Sequence, residues 1–175
     1  QSFMNKPKAA QAICRGSAVA GLPHGTLVEA LELSAAADAP FLVMHIAREP
    51  EHFDARRALD GARMAAAVLH ARGVKRGDRV AMVMPTSSDF LRAFVGCNSL
   101  GAIPVPLAAP MTFGSLDRYI INLRGIIQNS GARHLIASER IRIAASKDPA
   151  LKELLDDVLT PDALHELTTK VAPTP

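Results

Sequence analysis

Gly73-Val-Lys-Arg-Gly-Asp-Arg-Val-Ala-Met-Val-Met-Pro85 lies near the middle of this chain and is its most informative segment. Gly73 stands where a left-handed cap closes a helix. Gly77-Asp78 makes a turn, and Arg79–Met84 is an apolar run stopped by Pro85. A short apolar run between turn signals predicts a strand buried on both faces, because such strands need not alternate.

The flanks extend that pattern in both directions. Upstream, Ala58, Leu59, Ala62, Ala65, Ala66 and Leu69 recur at the spacing of one helix face, which predicts a helix from Asp54 to Arg72. Downstream, Pro85-Thr-Ser-Ser-Asp89 caps a helix over Phe90–Leu100, Gly101 ends it, and Ala102–Pro106 is extended. Ser115 then caps a helix whose apolar face holds Leu116, Tyr119, Ile120, Leu123, Ile126 and Ile127. Gly131 ends that helix, and Arg133–Ala137 is the next strand. Asp148-Pro149 and Thr160-Pro161 each set an N-cap before a proline at the first helical position.

Toward the amino terminus, Thr26-Leu-Val-Glu29 is a capping box that opens a helix running to about Asp38. Pro40 closes it, and Phe41–Ile46 is predicted to be a short buried strand. Strands alternating with helices imply an α/β fold in three layers, a mainly parallel sheet with helices on both faces. Gln1-Ser2-Phe3 ahead of Met4 reads as a tag remnant, residues 4–24 as a flexible arm, 25–170 as a single α/β unit and 171–175 as a linker.

Composition narrows the function classes. The 175 residues are 49% hydrophobic, enough for a core and too many for intrinsic disorder. A net charge of +3, spread along the chain, with six Phe, one Tyr and no Trp, offers neither a basic stripe nor a stacking platform for nucleic acid. Cys14 and Cys97 form no disulfide framework and no CxxC zinc pair, which points to a reducing compartment. The uncharged stretch Ala93–Leu116 is long enough to span a bilayer. Its Gly96, Gly101, Pro104, Pro106, Pro110 and Gly114 would leave backbone groups unsatisfied in lipid. With no secretory signal pattern at the start, a cytoplasmic protein that does not span the membrane is expected.

Ligands of parallel α/β sheets sit beyond the carboxyl ends of the strands. Here those ends are the loops after Ile46, Met84, Leu107 and Ala137, and none carries a Walker loop, a GxGxxG fingerprint or a GxSxG elbow. His165-Glu166 begins a zinc-protease pattern, but Thr169 stands in place of the second histidine. His24, His45, His52, His70, His134 and His165 show no metal-ligand spacing. Asp89 reads as a first-turn carboxylate that a helix dipole favours. Cys97, on an apolar helix beside Phe94, reads as core. Arg72, Lys75, Arg76 and Arg79 surround Asp78 as a solvated turn, or as a contact for phosphate or a carrier protein. Ala108-Ala-Pro-Met-Thr-Phe-Gly114 follows a strand and could line a pocket for an apolar ligand, or pack beneath another part of a larger protein. These residues supply no catalytic, cofactor-binding or metal site, and the substrate-binding residues are unknown.

The segment 73–85, taken with Asp89-Phe90, Phe94, Gly96-Cys97 and Gly101-Ala-Ile-Pro-Val-Pro106, resembles the N-terminal part of the adenylate-forming superfamily. That superfamily comprises acyl-CoA synthetases, luciferases and the adenylation domains of peptide synthetases. Asp89–Cys97 and Gly131-Ala-Arg-His-Leu-Ile136 are most similar to the fatty acyl-AMP ligase branch, and the similarity runs from about Gly25 to Ala137. One departure is Phe53-Asp-Ala-Arg-Arg-Ala-Leu59, where the family usually opens its helix with Thr-Tyr-x-Glu-Leu.

The resemblance implies that residues 25–170 are a subdomain truncated from a larger enzyme that uses ATP and Mg to activate a fatty acid as an acyl-adenylate. The acyl group would pass to the thiol of an acyl carrier protein or of coenzyme A. The family's Ser/Thr/Gly-rich phosphate loop does not occur before Pro175, so the piece itself is expected to be inactive and to bind no cofactor. Two alternatives are a stand-alone, non-catalytic module that binds acyl groups or a carrier protein, and an unrelated Rossmann-like enzyme.

Overall fold

The computed structural model describes residues 21, 25–45, 50–110 and 115–166. In chain order the elements are α1 (Leu27–Ala36), β1 (Pro40–Met44), β2 (Glu51–Asp54), α2 (Ala55–Ala71), β3 (Arg79–Val83), α3 (Ser88–Ser99) and β4 (Ile103–Leu107). They continue with α4 (Leu116–Ser130), β5 (His134–Ala137), α5 (Glu139–Lys147), α6 (Pro149–Leu154), β6 (Asp157–Leu159) and α7 (Pro161–Glu166).

The central apolar run forms the predicted strand, and its neighbours bury it. β3 lies between β4 and β5 in a four-stranded parallel sheet of order β4-β3-β5-β6, with Val80 opposite Pro104 on one side and His134 on the other. Alternation along the strand sends its side chains into two separate cores. Val80 and Met82 join Val68, Leu69, Ala93, Cys97, Ile136 and Leu159 beneath α2, α3 and α7. Ala81 and Val83 join Leu123, Ile127, Leu135, Ala137, Ile141 and Leu151 beneath α4, α5 and α6. The result is the expected three-layer α/β arrangement.

Local chemistry fixes the helix ends. The capping box at α1 is complete: the Glu29 N–H donates to Thr26 Oγ1 at 3.1 Å and the Thr26 N–H donates to Glu29 Oε2 at 3.2 Å. Asp54 caps α2 through the Arg57 N–H at 2.6 Å, and Ser87 caps α3 through the Phe90 N–H at 3.1 Å. Gly73 follows α2 with φ +89°, and Gly131 closes α4 with φ +65°, a region that residues with a Cβ rarely adopt. Asp148 caps α6 with Pro149 in the first turn, as its sequence predicts. β4 carries Pro104 and Pro106 and lies at the sheet edge, where a missing N–H donor costs no ladder bond.

α2 and α3 cross closely because Gly96 has no side chain. A Cβ there would stand 2.9 Å from Ala65 Cβ and 3.0 Å from both Ala62 O and Ala66 N. This crossing joins the sheet to a third cluster made by Leu31, Ala35, Ala55, Ala58, Leu59, Ala62 and Val95 of α1, α2 and α3.

The amino-terminal strand corrects the sequence reading. Phe41–Ile46 was expected to be buried in the parallel sheet, but β1 pairs antiparallel with β2 in a separate two-stranded sheet, and only Met44 of it is buried. The loop after Ile46 is therefore not a carboxyl-edge loop of the main sheet, and Ile46 itself lies outside the described residues. β2, α5 and β6 are additional elements, and α1 stops at Ala36 rather than near Asp38. The expected tag remnant at 1–3, almost all of the arm 4–24 and the linker 171–175 also lie outside the described residues.

Candidate functional site at the carboxyl edge of the sheet

Parallel strands place their carboxyl ends together, here Val83, Leu107, Ala137 and Leu159. Each is followed by a hydroxyl residue that opens a helix: Ser87, Ser115, Ser138 and Thr160. Ser87 and Thr160 spend their hydroxyls on helix N–H groups, at 3.1 and 3.3 Å, whereas Ser115 and Ser138 make no side-chain cap bond. The loop after β4 is pinned where Tyr119 Oη donates to Ala108 O at 2.8 Å. Burial raises the Tyr119 phenol above its ordinary pKa, which keeps it protonated as that donor. Met111–Gly114, four of the seven residues of the candidate pocket loop, lie outside the described residues.

Among the described residues no group of three His, Cys, Asp or Glu is placed to hold a metal ion. None of the four loops is a glycine-rich phosphate cradle.

The other candidates resolve one by one. Cys97 is fully buried, and desolvation pushes its thiol up to about 12, so it is a core residue and not a nucleophile. Asp89 sits in the first turn of α3 and pairs with Arg92 at 3.1 Å. The basic cluster lies at the amino edge, opposite the expected ligand edge, and two of its side chains, Arg79 and Arg72, bond to other elements. Arg79 Nε donates to Ser130 O at 2.9 Å, the Lys75 N–H donates to Asp78 Oδ2 at 2.7 Å, and Arg72 lies 3.6 Å from Asp157. The Arg76 side chain lies against Gly101. His45, His52 and His70 are exposed, and His134 is buried on β5. His24 and the side chains of His165 and Glu166 lie outside the described residues.

One feature had no signal in the sequence. A groove of about 510 Å³ runs along α2 and α3, lined by Arg56, Arg57, Asp60, Met64, Asp89 and Arg92 among others. Arg57 and Arg92 sit over the Phe53 ring at 4.6 and 5.8 Å. Each of its three arginines has an ion-pair partner: Arg56 has Asp38 at 2.9 Å, Arg57 has Glu51 at 3.3 Å and Arg92 has Asp89. The groove is thus an internally paired surface that ties α2 to α3 and to the β1–β2 hairpin.

Comparison with known proteins supplies the family. The family described as AMP-binding enzyme matches residues 32–174. An acetyl-coenzyme A synthetase of Pseudoalteromonas translucida is 32% identical over 119 residues, covering 68% of this chain and 17% of that protein. The long-chain-fatty-acid–CoA ligase FadD13 of Mycobacterium tuberculosis is 51% identical over 47 residues, 25% of this chain and 9% of that protein. Among solved structures, one from work on fatty acyl-adenylate ligases of E. coli and L. pneumophila superposes with a TM-score of 0.69 at 29% identity. It covers 87% of this chain and 28% of that one. The N-terminal domain of FACL13 from M. tuberculosis superposes with a TM-score of 0.61 at 25% identity, covering 71% of this chain and 31% of that domain. The chain belongs to the AMP-binding enzyme family and has the fold of part of the N-terminal domain of adenylate-forming enzymes. It spans a fifth or less of the length of the curated relatives it matches.

Proposed function

We infer, from membership of the AMP-binding enzymes, that this chain is the amino-terminal scaffold of a fatty acid ligase. The intact protein joins a fatty acid carboxylate to the α-phosphorus of ATP, releasing pyrophosphate. It then passes the acyl group to a carrier-protein or coenzyme A thiol, with release of AMP. In this reading magnesium and the groups that grip the phosphates belong to parts of the polypeptide outside these residues; among the described residues no group of three His, Cys, Asp or Glu is placed to hold a metal ion. The observation that carries the reading is the family match over 32–174, joined to fatty acyl ligases in both sequence and structure comparisons.

The experiment is fatty-acid-dependent exchange of pyrophosphate into ATP, run on residues 1–175 and on the protein extended along its natural reading frame. The extended protein should exchange and residues 1–175 should not, whatever acyl chain is offered. Exchange by residues 1–175 alone would overturn the scaffold assignment. A reading frame that stops near Pro175 would replace it with a stand-alone module that binds acyl groups or a carrier protein.

A further inference from the structure

We propose that the groove between α4 and α5, on the side of the main sheet away from α2 and α3, is a docking site for an acidic amphipathic helix of a second protein. The groove has a volume of about 640 Å³, and its lining includes Leu116, Ile120, Ile121 and Ile143 together with Arg140 and Lys147.

Core packing leaves this groove between the two helices. α4 turns Leu123 and Ile127 into the core, and α5 turns Ile141 and Ala145. The helical period then places Ile121 and Ile143 on the flanks of α4 and α5, where they stay 59% and 42% exposed. Arg140, Ile143 and Lys147 follow one another at i, i+3 and i+7, a stripe of about 10 Å and the spacing by which one helix reads another.

The charge of this layer is one-sided. α4 and α5 carry Arg118, Arg124, Arg140, Arg142 and Lys147 against Asp117 and Glu139. Arg124 bonds Asp148 and Arg142 bonds Glu139, whereas Arg118, Arg140 and Lys147 form no ion pair among the described residues. Asp117, which also lines the groove, is likewise without one, so the free charge on the two helices is positive. The groove on α2 and α3 differs, since each of its arginines has a carboxylate partner.

That charge selects the occupant. Residues 1–24 and 167–175 hold Lys6, Lys8, Arg15 and Lys170 and no Asp or Glu, so they do not complement it. A second copy would set the same positive helices face to face. A membrane surface is gripped by aromatic side chains, and no aromatic residue lines the groove. A helix with Leu or Ile along one stripe and Glu or Asp beside it would cover Ile121 and Ile143 and pair with Arg140 and Lys147.

Fluorescence anisotropy tests this with two synthetic helical peptides added to residues 1–175. One has Leu on one face and Glu on the other, and its counterpart has Lys in place of Glu. The Glu peptide should bind saturably and weaken as salt rises. It should lose at least about 10-fold in affinity in Arg140→Glu/Lys147→Glu and in Ile121→Ser/Ile143→Ser, each read only if the urea midpoint matches the parent. Ile126→Ser, exposed on α4 but outside the groove, should leave binding unchanged. Equal binding of both peptides, or binding that the groove variants leave intact, would overturn the proposal. So would binding that disappears in the protein extended along its natural reading frame, because its own polypeptide would then fill the groove. Pelleting with phosphatidylglycerol vesicles in place of peptide binding would assign the face to a membrane instead. None of these results bears on pyrophosphate exchange, which tests the ligase reading separately.

Discussion

β3 and β1 are both five-residue strands, Arg-Val-Ala-Met-Val and Pro-Phe-Leu-Val-Met, and β1 is the more hydrophobic of the two. Four residues of β3 are buried and only one of β1. The difference lies in their neighbours. β3 has a strand on each side and a helical layer on each face, so each side chain finds a place in one of two cores. Among the described residues β1 has one strand beside it, with α2 against part of it, and Phe41, Leu42 and Val43 remain exposed. Composition makes a strand possible, and pairing on both edges makes it buried.

That contrast sets the largest expected effect. Leu135, fully buried on β5, replaced by Ala should cost about 3–4 kcal/mol in urea denaturation, the sum of lost burial and a cavity. Leu42→Ala on β1 should cost no more than about 0.5 kcal/mol in residues 1–175, because the side chain is already wet. Equal losses would break the comparison.

The next effect tests the joint between the two regions. Gly96→Val forces a side chain onto Ala65 Cβ and onto the α2 backbone at Ala62 and Ala66, where helix atoms cannot retreat. A loss of about 2–3 kcal/mol is expected, with the α1–α2 layer loosened more than β5, visible as a second, earlier transition in near-ultraviolet circular dichroism. A single unchanged transition would show that α2 tolerates the added volume.

A smaller effect belongs to the carboxylate that caps α6. Arg124 hydrogen-bonds Asp148, and this holds the Asp148 carboxyl below its ordinary value, helped by the Leu151 N–H that it caps. A lowered folded pKa contributes stability above the unfolded carboxylate value of about 3.9, and that stability is lost as pH falls through the folded value. The urea midpoint should therefore hold steady from about pH 5 to 8 and drop below about pH 4. Asp148→Asn keeps the cap, should cost about 1 kcal/mol at pH 7 given the solvent around Arg124, and should make the acid drop shallower.

The smallest expected signal is the reactivity of Cys97. With its thiol raised to about 12 by burial, labelling in a Cys14→Ser background should proceed only through opening of the core, far more slowly than in the unfolded chain. Rapid labelling at neutral pH would show that the α3 side of the sheet is as open as β1.

The main sheet was legible in the sequence where local chemistry is strong. The α2 periodicity, the caps at Thr26, Asp148 and Thr160, and the glycines after α2 and α4 mark boundaries that the structure keeps. α5 escaped because its buried face is only Ile141 and Ala145, too short a stripe to show a period. β2 escaped because Phe53 alone is buried in it, and β6 because it has three residues. β1 lies outside the main sheet, and its sequence does not show this because an apolar run reads the same whether strands flank it on both edges or on one.

The site reading followed the same logic. Cys97 and Asp89 behave as their helix positions suggested. The basic cluster could not be assigned from sequence, since Arg79 meets Ser130 across 51 positions of chain. The paired groove on α2 and α3 joins side chains that no motif connects.

Native-state hydrogen exchange on residues 1–175 measures the central contrast most directly. β3 and β5 amides should exchange only through global unfolding, with protection that tracks the urea stability, while β1 amides exchange orders of magnitude faster through local opening. Uniform protection across β1, β3 and β5 would contradict the account, because the hairpin would then be a finished part of this fold.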